Sequence, residues 1–195
     1  MDPQAAHDQF FHVRIVIGMV VGLTIARLLN GLGRFVQHPR GPRPYATHLV
    51  WTAFMLLAVV HFWWFELGLG RLGAWDFGTY LFVIGYASLY FFISVVLYPD
   101  RLDDYGGFAD YFHARQAWFY GLLAATFVTD IADTALKGPA HFAALGSLYP
   151  LRQVALAAAC VAVARVRNRR LHLGFAVVAL AIEAWRGMRE FSLDG

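Results

Sequence analysis

The chain has 195 residues, of which 59% are hydrophobic, 16% aromatic and only 15% charged, and its formal net charge is +3. Soluble domains carry about 25% charge, so the composition excludes an ordinary soluble globule. It equally excludes a disordered, collagenous or coiled-coil chain, and what remains is an all-α, membrane-embedded bundle.

A helix that crosses a hydrocarbon layer of about 30 Å needs about 20 apolar residues. Six stretches approach that length. The first, residues 11–33, is interrupted by Arg14, Arg27 and Asn30. The residues before it hold Asp2 and Asp8 and no lysine or arginine, so it reads as a retained membrane helix rather than a cleaved signal peptide. A stiff basic turn at 39–44 leads to the second stretch, 47–67, which ends in His61, Phe62, Trp63, Trp64, Phe65 and Glu66. Glycines 68, 70 and 73 mark a link. The third stretch, 77–98, carries no charge and stops at Pro99. A polar loop follows, and the fourth stretch, 112–136, holds Asp130 and Asp133 near its end. Gly138 and Pro139 break it. The fifth, 149–166, runs into a basic hinge at 165–170. The sixth, 171–188, has the poorest pattern because Glu183 and Arg186 fall inside it. The expected fold is therefore a six-transmembrane-helix bundle, a single membrane domain over 1–195.

Lysine and arginine in short loops set orientation. Loops after the first, third and fifth stretches hold Arg34, Arg40, Arg43, Arg101, Arg115, Arg165, Arg167, Arg169 and Arg170; the others hold Arg71, Lys137 and Arg152. Nine against three puts the first group inside and both termini outside, and Trp63, Trp64 and Trp75 would form an outer aromatic belt. The default location for so compact a bundle is a cell inner membrane. The basic charge is explained by topology, so no nucleic-acid partner is expected.

A weak internal repeat is visible. Phe10 to Arg14 resembles Tyr111 to Arg115, and Arg27, Asn30 and Arg34 match Asp130, Asp133 and Lys137 in spacing, at offsets of 101 and 103. Three helices per unit would make this a 3+3 inverted repeat with halves 9–98 and 110–193, an arrangement used by many transporters.

Ionisable residues at membrane depth are costly and point to function. Asp130 and Asp133 share a helix face and lie at the outer end, where Arg14, His61, Arg152 and Arg186 are the expected neighbours. Glu183 could relay protons or pair with Arg186. Arg27 lies in the inner half, near His48, Thr52, Tyr90 and Ser94 in depth, as gate or anchor. His61 could sense pH. These five, Asp130, Asp133, Glu183, His61 and Arg27, are the candidate transport path. His48 and His61 are weak candidates for haem b ligands, since thirteen helical steps leave their rings about 140° apart; no cofactor or metal is otherwise expected. Cys160 reads as a small buried residue. Gly18 and Gly22 allow close helix approach, which makes a homo-oligomer conceivable.

No P-loop, dinucleotide fingerprint, HExxH or G-x-S-x-G motif occurs, so an enzyme is not expected. The expectation is a channel or small transporter for a small cation or proton, with membrane lipid as its surroundings. A haem- or quinone-binding redox protein and a non-catalytic membrane scaffold are the alternatives.

Overall fold

The structure is a computed structural model that describes residues 3–38, 40–72 and 75–191. Among these residues there are seven α-helices and no strand: α1 (Pro3–Gln37), α2 (Ala46–Phe65), α3 (Phe77–Leu97), α4 (Phe108–Leu136), α5 (Pro139–Ala144), α6 (Leu148–Val163) and α7 (Arg169–Phe191). A 3-10 turn, Glu66–Arg71, continues α2.

Local chemistry sets most of the boundaries. Asp76 caps α3 by accepting from the Thr79 N–H at 2.7 Å. Hydrogen bonds from Thr79 first, and from the Gly78 N–H, hold the exposed Asp76 carboxyl below its ordinary value. Asn168 accepts from the N–H groups of Arg170 and Leu171 at the start of α7. Gly138, at φ 103°, turns the chain out of α4, and Pro139 then opens α5.

Five helical segments are long and apolar enough to cross a membrane: Gln9–Gln37, Ala46–Gly70, Phe77–Leu97, Phe108–Leu136 and Arg169–Met188. The protein is thus an all-helical chain with the spans of a multi-pass membrane protein. Two sequence expectations change places here. The 171–188 stretch, interrupted by Glu183 and Arg186, qualifies as a span. The cleaner-looking 149–166 stretch is the short one, because Val163 ends α6 after 16 residues, or about 24 Å of helix.

The helices alternate in direction, which gives the bundle two ends. The Lys137 end gathers the C-termini of α2, α4 and α7 and the N-termini of α3 and α6. The Tyr98 end gathers the C-termini of α1, α3 and α6 and the N-termini of α2, α4 and α7. α2 is central, packed on α1, α3 and α7, while α4 joins α3 to α6. α4 meets α7 through large side chains such as Tyr120 on His172. The backbones of α6 and α7 run without extensive contact among the described residues.

This packing bears on the repeat. α1 lies along α3, and the matching pair in the second half would be α4 and α7, which touch only through side chains. The packing therefore gives the repeat no support.

Apolar and polar surfaces are distributed as lipid requires. Large apolar side chains point outward, including Phe11, Met19, Leu23, Phe92, Trp118 and Val178, each more than half exposed. His61, Glu66, Asp133, Lys137 and Glu183 are buried within. Lipid tails offer no hydrophobic drive for helix association, so packing and interhelical hydrogen bonds hold such a bundle. Cys160 is buried as expected. Of the expected tryptophan belt, Trp64 is exposed, Trp63 is half-buried, and Trp75 is buried and stacks with Phe10.

Candidate functional site: a charged chamber at the Lys137 end

The last two turns of α4 place Asp130, Asp133 and Lys137 on one side, three and four residues apart. Lys137 reaches back to Asp133 in a very short contact and across to Glu66 Oε1 at 2.9 Å. All three side chains are almost fully buried. Burial alone would lower the Lys137 ammonium, but Glu66 and Asp133 facing it keep it above its ordinary value. The 3-10 turn after α2 carries Glu66 inward to complete this triad.

Asp130, one turn earlier, is held differently. Tyr86 donates to Oδ1 at 3.0 Å, Tyr149 lies 2.6 Å from Oδ2, and the Gln153 amide makes a very short contact with the same oxygen. All its hydrogen-bond donors among the described residues are neutral. Tyr149 is shared, since its hydroxyl also meets Thr134 at 2.7 Å.

A second ion cluster joins α2 and α7. Glu183 Oε1 lies 2.8 Å from His61 Nδ1 and 2.7 Å from Arg186. The Arg186 guanidinium also sits over the Phe65 ring, 5.3 Å from its centroid. Gly187 makes room for this arrangement: a Cβ there would collide with the His61 ring.

Two small cavities connect the clusters. One, of about 40 Å³, is bounded by α2, α3, α4, α6 and α7 and lined by Tyr86, Asp130, Arg152, Gln153, Glu183 and Arg186 among others. The other, of about 30 Å³, is lined by Glu66, Asp133, Lys137, His141 and Tyr149. Tyr90, Asp130, Arg152 and Arg186 line both. A water needs about 10–15 Å³ by this measure, so each holds only a few molecules. Toward the Tyr98 end the chamber meets a layer of fully buried side chains, Trp51, Met55, Phe119, Tyr120 and Leu123.

Four of the five expected path residues, Asp130, Asp133, Glu183 and His61, are gathered around this chamber. The expected neighbours Arg152 and Arg186 are present, while Arg14 is not: it lies over the rings of Phe10 and Trp63. Arg27 sits at the opposite end. It donates to the Tyr98 carbonyl at 2.8 Å and pairs with Asp100 at 2.9 Å, rather than meeting the residues expected at its depth. Arg34 likewise donates to the Pro99 carbonyl at 2.9 Å.

The haem candidates face different surroundings. His48 is packed among the rings of Tyr98, Phe108 and Phe112, at centroid distances of 4.9, 5.2 and 6.3 Å. His61 is bonded to Glu183 at the other end of the same helix. The two rings thus lie in separate surroundings near opposite ends of α2. Among the described residues, no three His, Cys, Asp or Glu side chains converge to hold a metal ion.

Sequence reasoning missed Glu66, Lys137, Tyr149 and Gln153 as members of the site. The Asp133–Lys137 spacing was the available signal, since residues four apart on a helix are neighbours. Glu66 had one too, as the acid that closes an otherwise apolar run. Tyr149 and Gln153 had none.

Geometry thus defines the class: a multi-pass helical membrane protein with an ion-paired chamber enclosed at one end. Compared with protein-family models, with curated proteins and with solved structures, the chain matches none.

Proposed function

We propose that this protein is a small six-span membrane transporter whose chamber at the Lys137 end takes up and releases a proton. α6 serves as the sixth, short span, and both termini face outward, as the arginine distribution favours. The chamber then opens toward the outer face of a cell inner membrane.

One observation carries the reading. Among the described residues, the chamber is lined by four carboxylates, Glu66, Asp130, Asp133 and Glu183, against three permanent cations, Lys137, Arg152 and Arg186. These seven side chains sum to −1. An uncompensated charge is expensive away from bulk water, so the cluster favours holding one more proton. The groups interact closely, and that proton belongs to the network rather than to a single residue. The cavities are too small for a hydrated metal cation but suit a proton passed between waters and side chains.

In this reading Asp130, held by neutral donors, is the exchange site facing the water-sized cavities. Glu183 and His61 form the next station. The Glu66–Lys137–Asp133 triad fixes the electrostatics of the wall. Arg27 anchors the far end. The layer around Trp51 and Phe119 is the barrier that a transport cycle must open or hydrate.

Liposomes reconstituted with the protein and loaded with a pH-sensitive dye test this. An imposed pH gradient should acidify wild-type vesicles faster than empty ones, and Asp130→Asn should remove the difference. Entry that requires sodium or potassium, or is unchanged in Asp130→Asn, would reject the proton assignment.

A further inference from the structure

A cleft of about 820 Å³ opens at the Tyr98 end, between the last turn of α1, the turn that follows it, and the loop after α3. That volume lies within the range of ligand pockets, about 300–1,000 Å³. Its floor is apolar: Phe35 and Phe108 meet edge to face with centroids 5.0 Å apart, flanked by Leu102 and Pro42. Its rim is charged. Arg34, Arg40, Arg101, Asp100 and Asp103 all line it. Asp100 is already engaged by Arg27 from outside the cleft, and Arg34 is tied to the Pro99 carbonyl. Arg40 and Arg101 are exposed, and neither has an ion-pair partner among the described residues. With Asp100 neutralised, three arginines against Asp103 leave the cleft at +2.

We propose that this cleft binds the phosphate of an anionic phospholipid headgroup. Guanidinium groups match phosphate oxygens with paired, charge-assisted hydrogen bonds. Arg40 and Arg101 are the two that remain available. The cleft lies where the membrane helices end, which is headgroup depth. Val36, 84% exposed on the adjacent turn of α1, offers apolar surface for an acyl chain. A soluble phosphate compound would share the headgroup chemistry but gains nothing from Val36 or from the membrane-level position. Under the proposed topology this face is cytoplasmic, where anionic lipids and basic pockets between helices meet.

The test uses the full chain in neutral detergent, with thermal midpoint and native mass spectrometry as readouts. Phosphatidylglycerol should raise the midpoint more than phosphatidylcholine and should remain bound in the mass spectrum. R40Q/R101Q should weaken phosphatidylglycerol binding about tenfold or more, as loss of hydrogen bonds to a charged group implies. Its midpoint without added lipid should match wild type, because neither side chain supports the fold; R101Q alone should show a smaller loss of the same kind. R165Q/R167Q, which removes two other exposed arginines from the same end, should bind as wild type does. Equal loss in both double variants would mean unspecific charge attraction and would overturn the site. Retained binding in R40Q/R101Q would do the same. If glycerol 3-phosphate alone reproduces the whole stabilisation, the ligand is a soluble phosphate and the lipid assignment falls.

Discussion

Both ends of the bundle hold cations by hydrogen bonds, and they do so on opposite terms. At the Tyr98 end, Arg27 and Arg34 reach the carbonyls of Tyr98 and Pro99. Those are the orphan acceptors that follow the end of α3, and a backbone carbonyl takes no proton at physiological pH. Gln116 does similar work for α6 by donating to the carbonyls of Ala164 and Val166 at 2.9 and 3.1 Å. At the Lys137 end the cations face buried carboxylates, which can change charge, whereas Asp100, which pairs with Arg27, is exposed. The first arrangement fastens helix termini. In the proposed function the second stores a charge balance that one proton can shift. Polarity at membrane depth therefore has two meanings in one chain, and the partner of each cation decides which applies.

The largest expected effect comes from breaking the buried triad. Lys137→Met leaves Glu66 and Asp133 facing each other without a cation, and removing one partner of a buried pair costs about 3–5 kcal/mol. Thermal unfolding in detergent should show a large drop. Adding Glu66→Gln and Asp133→Asn to that variant should recover most of it. A K137M protein as stable as wild type would mean that the triad is not buried.

Two glycine substitutions sharpen the contrast between the ends. Gly187→Ala drives a methyl into the His61 ring, and Gly31→Ala does the same to the Tyr98 ring. Each should lose about 1–3 kcal/mol, the usual cost of overpacking. Only Gly187→Ala should also slow proton entry, because the His61 ring it displaces is bonded to Glu183, which lines the chamber. Equal effects of both on proton entry would erase the functional difference between the ends.

Asp130→Asn preserves shape and exchanges an acceptor for a donor beside Gln153. Its stability should change by about 1 kcal/mol, while proton exchange is lost. Arg27→Gln should cost no more than about 1 kcal/mol, because its Asp100 partner is exposed and screened; proton exchange should persist.

The smallest effect is at the cap of α3. Asp76→Ala should lower the midpoint slightly at neutral pH. The folded protein holds this carboxyl below its ordinary value, so its contribution is present above the unfolded value and fades as pH falls through the folded one. In acid the variant and wild type should therefore converge, which paired melting curves at two pH values would show.

Much of this structure was legible in the sequence, and the gaps have physical causes. Composition alone required lipid as solvent, and the breaks at Pro99 and at Gly138–Pro139 located helix ends well. Helix lengths were less legible. Ala164 and Val166 are still apolar, but they give their carbonyls to Gln116, a tertiary contact that no local pattern reports. Depth arithmetic correctly separated Arg27 from Asp130 and brought His61, Arg152 and Arg186 toward the acids. It could not choose partners at equal depth. Asp133 took Lys137 from its own helix end, and Asp130 took the hydroxyls of Tyr86 and Tyr149. The part of Tyr86 was not legible, because rotation about the helix axis is not fixed by hydropathy when every face is apolar.

In the proposed function the chamber carries one exchangeable proton beyond its ion pairs. Infrared spectroscopy of the protein in detergent, titrated around neutral pH, reads protonated carboxyl and histidine bands directly. If the chamber holds that proton, a titrating carboxyl or imidazole signal appears that is altered in Asp130→Asn and in Glu183→Gln but unchanged in Arg27→Gln. A spectrum without any such titration, or one that responds to Arg27→Gln and not to the two acids, would contradict it.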